Sequence, residues 1–162
     1  MYPVHPAPRT AVLVPWFHES VLTNRPLRVF PHGWSVEAAA FAPAAVAGTL
    51  EQLNALAREG IPSLTHSIII LCRPEQQRMS DADRDDLWCA FRVPVFEQVI
   101  GKSGKLLAAE CEAHDGLHVA SPDLSTHGES LDDSLCPCGR KSPRIGVTHG
   151  AARERRIAAY AR

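Results

Sequence analysis

No stretch of these 162 residues approaches the roughly 20 consecutive apolar positions that a membrane-spanning helix needs. An excess of one charge is also missing: 17 Lys and Arg stand against 18 Asp and Glu, a formal net charge of -1. Nothing therefore draws the chain as a whole to a phosphate backbone or an anionic membrane. Neither nucleic acid nor membrane is an expected partner. The N-terminus, Met1-Tyr2-Pro3-Val4-His5-Pro6, lacks the charged start, apolar stretch and cleavage site of a signal peptide, so a cytoplasmic location is expected. No Gly-rich loop precedes a helix, and no internal repeat is present. What remains, 45% hydrophobic and 22% charged residues, is the balance of one ordinary globular domain.

The 13 Pro and 10 Gly predict many loops. Residues 1–35 read as an extended N-terminal arm whose apolar runs, Ala11-Val12-Leu13-Val14 and Leu27-Arg28-Val29-Phe30, are short strands or extended pieces. From Pro43 to Glu59 the apolar positions Val46, Leu50, Leu53, Leu56 and Ala57 predict a helix, with Gly60 as its stop. Ser67-Ile68-Ile69-Ile70-Leu71 is too short for a helix and apolar on both faces, the pattern of a strand inside a covered parallel sheet. Ser80 is suited to cap a second helix running through Leu87, Trp88 and Phe91, and Val93 to Ile100 reads as the next strand. Two short extended pieces follow, Lys105 to Cys111 and Gly116 to Ala120, joined by the turn-like Ala113-His114-Asp115-Gly116. The fold class expected is α/β: a small, mostly parallel sheet flanked by helices, then a β-rich segment. A single domain over 36–149 and a basic tail over 150–162 complete the organisation.

Five cysteines is an odd number, and Cys136-Pro137-Cys138 sets two of them one residue apart. In a reducing compartment that favours metal ligation over disulfides. Cys111, His114 and His118 form one local group, and Cys136 and Cys138 follow a polar stretch, Ser121 to Leu135, that needs something to tie its far end down. Thiolate and neutral imidazole are the donors zinc prefers, and three Cys with one His complete a closed tetrahedral site. His118 is favoured over His114, because pairing of its strand with the strand ending at Cys111 brings the two side chains to one face. His114 is then a substitute or a supporting group. The plain alternative makes Cys111 a buried apolar residue and Cys136-Pro137-Cys138-Gly139 a turn.

Two blocks carry a resemblance. Leu107-Ala108-Ala109-Glu110-Cys111-Glu112-Ala113-His114-Asp115-Gly116-Leu117-His118-Val119 and Cys136-Pro137-Cys138-Gly139-Arg140-Lys141-Ser142-Pro143-Arg144-Ile145 resemble the adenylate-forming superfamily, in particular its phenylacetate-CoA ligase branch. Glu59-Gly60-Ile61, Arg73-Pro74-Glu75 and Val93-Pro94-Val95-Phe96-Glu97 extend the likeness over about residues 43–146. The resemblance implies a structural zinc on Cys111, His118, Cys136 and Cys138. It also shows what is replaced. Where that branch carries a Tyr-Gly-x-Ser/Thr-Glu segment, this chain reads Val99-Ile100-Gly101-Lys102-Ser103-Gly104-Lys105. No counterpart is expected either for the phosphate-holding loop, the ribose-binding aspartate or the lysine-bearing mobile domain.

The function expected is thus a small zinc-binding protein, a catalytically stripped relative that acts as an accessory, regulatory or binding subunit. Its expected partner is another protein or a second copy of itself. The other reading is an enzyme that handles acyl or aryl acids and needs a second chain to complete its active site. The balance leans away from catalysis, and no catalytic or organic-cofactor residue is nominated. Lesser candidates are His18-Glu19 and His32-Gly33-Trp34 as pocket linings, His66 and Ser67, which strand alternation would point apart, and Cys72 and Cys89 as core thiols.

Overall fold

A computed structural model describes residues 8–16, 26–60, 63–124 and 130–147. The elements follow as β1 (Thr10–Val12), β2 (Leu27–Val29), α1 (Val36–Ala40), β3 (Ala45–Gly48), α2 (Leu50–Glu59) and β4 (Ser67–Cys72). They continue as α3 (Asp81–Phe91), β5 (Val95–Ile100), β6 (Leu106–Glu110), β7 (Leu117–Val119) and β8 (Arg144–Ile145). All the described strands join one sheet in the order β2-β1-β3-β4-β5-β6-β7-β8. Pairing is parallel from β2 to β5 and antiparallel from β5 to β8. The fold is α/β with a mostly parallel sheet, as the alternation of helix and strand implies.

Every residue of β4 and β5 is buried, which is why their sequences lack the alternation of a half-exposed strand. Leu53 and Leu56 of α2 and Leu87 and Phe91 of α3 pack on one sheet face, against Leu13, Val46, Ile68, Ile70 and Val95. Val12, Val14, Ala47, Ile69, Leu71 and Ile100 make the core of the other face. Both long helices start with a reciprocal capping box, Thr49 with Gln52 and Ser80 with Asp83. Gly60 ends α2 in the left-handed conformation, φ 70°.

Several expectations need correction. The helix foreseen from Pro43 begins only at Leu50, because Ala45–Gly48 is a buried strand paired on both sides, to β1 and β4. Two-sided pairing overrides the apparent helical spacing of Val46. Of the two readings of residues 10–12 and 27–29, short strands or extended arms, the first holds: both are hydrogen-bonded parallel strands of the sheet. Cys72 is buried, whereas Cys89 is exposed and is no core thiol. His66 Nδ1 and Ser67 Oγ do meet, at 2.9 Å, since His66 lies just before the strand where alternation does not yet apply. The pair sits at the N-terminal end of β4, away from the carboxyl ends where open α/β sheets hold ligands. His18-Glu19 and the basic tail lie outside the described residues.

Candidate metal centre

The antiparallel end of the sheet builds the site. Cys111 directly follows β6, and a turn closed by the His114 amide on the Cys111 carbonyl, 3.0 Å, leads into β7. At Gly116, φ 78°, a Cβ would stand 2.7 Å from the Ile145 carbonyl oxygen, so glycine is required for β7 to leave the turn beneath β8. In the β6/β7 register Ala109 faces His118, so Cys111, two residues on, shares a face with His118. The chain returns through Asp132, bridged to Arg144 of β8, and turns at Cys136-Pro137-Cys138-Gly139, with the Gly139 amide on the Cys136 carbonyl at 2.8 Å.

This path brings together Cys111 Sγ, His118 Nε2, Cys136 Sγ and Cys138 Sγ, all within 4.8 Å of one another. Cys111 and Cys136 sulfurs are 3.6 Å apart, and Cys138 Sγ is 3.3 Å from His118 Nε2. A tetrahedron with metal–sulfur bonds of about 2.3 Å has edges of about 3.8 Å, so these spacings are those of donors around one ion. Cys111, His118 and Cys136 are buried, and Cys138 is partly open to solvent.

The surroundings prepare each donor. His118 Nδ1 donates to the Ser142 carbonyl at 3.1 Å, which fixes the ring and leaves Nε2 unprotonated toward the sulfurs. Burial, with the positive charges of Arg140 and Arg144, holds the His118 pKa below its ordinary value despite that bond, favouring the neutral imidazole a metal needs. Burial likewise pushes the Cys111 thiol up to about 12, against an opposing amide hydrogen bond from Ala113. At Cys138 burial also acts upward, but the Arg140 amide, the neighbouring sulfurs and the Arg140 charge outweigh it, so its pKa is lowered. Amide donors to sulfur are the usual support of a thiolate. Three thiols and a neutral imidazole, with no carboxylate among them, are a donor set suited to zinc.

His114 is placed elsewhere. It stacks on Phe96, centroids 5.1 Å apart, and its Nδ1 lies 3.1 Å from Glu110 Oε1. Arg84 of α3 also binds Glu110 there, at 2.7 Å, and donates to the Val95 carbonyl. His114 thus ties helix to sheet, in a φ of 48° that a residue-by-residue reading does not anticipate.

At the carboxyl ends of β3 and β4 lies a cavity of about 300 Å³ lined by Thr49, Leu50, Cys72, Gln76 and Met79 among others. Beside it, Arg73 lies over the Trp16 ring at 3.9 Å and donates to the Gly101 carbonyl at 2.6 Å. Arg78 pairs at 2.6 Å with buried Glu97, which also accepts from Cys72 Sγ at 3.4 Å. Arg73 thus bridges the carboxyl ends of β4 and β5, beside the cavity.

The fold is similar to part of a solved CoA ligase. It superposes on 2-hydroxyisobutyryl-CoA ligase in an open conformation with 2-HIB-AMP and CoA, at a TM-score of 0.62 and 16% identity. The same ligase in its postadenylation state with R3-HIB-AMP gives 0.56 and 13%. Each match covers 88% of this chain but only 44% and 43% of the ligase chain, so the chain spans less than half of that enzyme. No family model and no curated protein matches the sequence. The likeness is one of fold, and it is to an adenylate-forming enzyme.

Proposed function

We propose that this chain is a zinc-stapled binding module built on part of an adenylate-forming fold, serving as an accessory or regulatory subunit and not as a ligase. The convergence of Cys111, His118, Cys136 and Cys138 carries the reading. Four protein donors close a tetrahedron and leave no position for water, so the zinc is structural and not catalytic. Kinship with the phenylacetate-CoA ligase branch rests on the two Cys/His sequence blocks. The reading of the chain as catalytically stripped rests on the replaced segment at Val99–Lys105 and on Arg73, which spans the carboxyl ends of β4 and β5 to the Gly101 carbonyl. Adenylation needs groups there that orient a carboxylate and neutralise developing phosphate charge.

The test is metal analysis of the purified protein beside an adenylate exchange assay over aryl and alkyl acids. One zinc per chain and no exchange are expected; exchange by the chain alone would overturn the non-catalytic reading. A second reading draws on the 44% coverage of the ligase: another polypeptide supplies the rest of an active site. It requires exchange to appear only when a ligase partner is added.

A further inference from the structure

Arg144 is 2% exposed, among the largest fully buried side chains of the described residues, and it stands between the two halves of the metal centre. Its Nη1 donates to the Asp115 carbonyl at 3.0 Å and to Asp115 Oδ2 at 2.9 Å, gripping the turn between Cys111 and His118. Its Nη2 donates to Asp132 Oδ2 at 2.8 Å and to Ser134 Oγ at 3.0 Å, gripping the segment that leads into Cys136. The backbone of Arg144 exchanges two hydrogen bonds of 2.9 Å with Asp132, and in β8 the residue pairs with His118 itself. Asp132 also accepts from the Ser134 amide at 2.9 Å, so the carboxylate that binds the guanidinium shapes the next turn as well.

We propose that Arg144 is a positioning residue that joins both halves of the metal centre before any ion arrives, so that metal fills a preformed site and does not nucleate it. This rests on the reading of the four donors as a zinc site, but its central consequence concerns the metal-free protein. Small zinc domains whose ligands are held by nothing else unfold without metal. Here a guanidinium with four acceptors does the holding: its Nη1 contacts to Asp115 are buried and costly to leave unpaired, its Nη2 contacts to Asp132 and Ser134 are part-buried, and its buried Nε has no partner among the described residues.

Hydrogen exchange of the metal-free protein tests it directly. The amides of Asp132, Ser134, Arg144 and Gly139 are expected to remain protected in the wild type. In Asp132→Asn, which keeps the size of the side chain and removes its charge, protection of Ser134 and Gly139 is expected to fall while that of β4 and β5 is retained. In the same variant, zinc affinity measured against a chromogenic chelator is expected to weaken by about 10- to 100-fold, the range for loss of a group that supports a metal ligand. Arg144→Met is the stronger perturbation, and Asp132→Asn keeps the question answerable if that variant fails to fold. Fast exchange across 132–139 in the metal-free wild type would overturn the proposal, as would unchanged protection in Asp132→Asn. Protected amides in a protein that takes up no zinc would instead leave the clamp standing and remove the metal reading.

Discussion

Cys138 is the one donor of the cluster that meets solvent. Cys138→Ser replaces a soft donor by a hard one without emptying the turn, so the variant is expected to lose bound zinc while keeping its far-ultraviolet spectrum; metal stoichiometry and circular dichroism check this. Gly116→Ala is expected to be costlier to the fold, on the order of 2 kcal/mol, since a side chain must enter a left-handed conformation and meet backbone at 2.7 Å; the midpoint of urea unfolding reads it. His118 gives a pH signature in the metal-free protein. Its folded pKa lies below the unfolded value of 6.5, so the unfolded chain binds the proton more readily. Stability is complete above about 6.5 and falls as pH drops through the window beneath it, and a melting series from pH 8 to 5 is expected to show that loss in wild type and less of it in His118→Gln. The four converging residues were legible in sequence from donor type, from the strand pairing that favoured His118, and from the family resemblance of the two Cys/His blocks; spacing alone left the plain alternative open. The Arg144 grip was not, since its partners Asp115 and Asp132 are ordinary loop carboxylates until the sheet brings them together.

Secondary elements that announce themselves locally matched their sequence. The β4 run of β-branched residues and the Ser80 start of α3 depend on burial and capping rules that act within a few residues. Ser80→Ala removes the acceptor for the Asp83 amide and is expected to cost about 1 kcal/mol in chemical denaturation. Leu53→Ala, at a site with no solvent exposure, is expected to cost about 2–5 kcal/mol by the same measurement. The elements that sequence did not disclose are short: α1, β3 and β8 have five, four and two residues. Ala45–Gly48 has no strong strand preference of its own, and becomes a strand because β1 and β4 offer it partners on both sides.

Across the whole molecule, the change from parallel to antiparallel pairing at β5 and β6 separates two kinds of construction. The parallel half is held by α2 and α3 against one face, and no described helix is long and apolar enough to cross a membrane. The antiparallel half carries the Cys/His cluster, with a smaller core of Cys72, Val99, Leu107, Ala108, Leu117 and Ile145 beneath it. On the proposed metal reading, a chelator is therefore expected to lower the melting temperature while leaving most α/β circular dichroism in place. The same division has a kinetic side. β5, β6 and β7 are successive along the chain and close through short turns, whereas β1 must wait for β3, more than thirty residues later, to gain its second neighbour. Closing longer loops costs more chain entropy before any contact repays it. During refolding, the β5–β7 meander should gain protection first, and the N-terminal strands should be the last to dock.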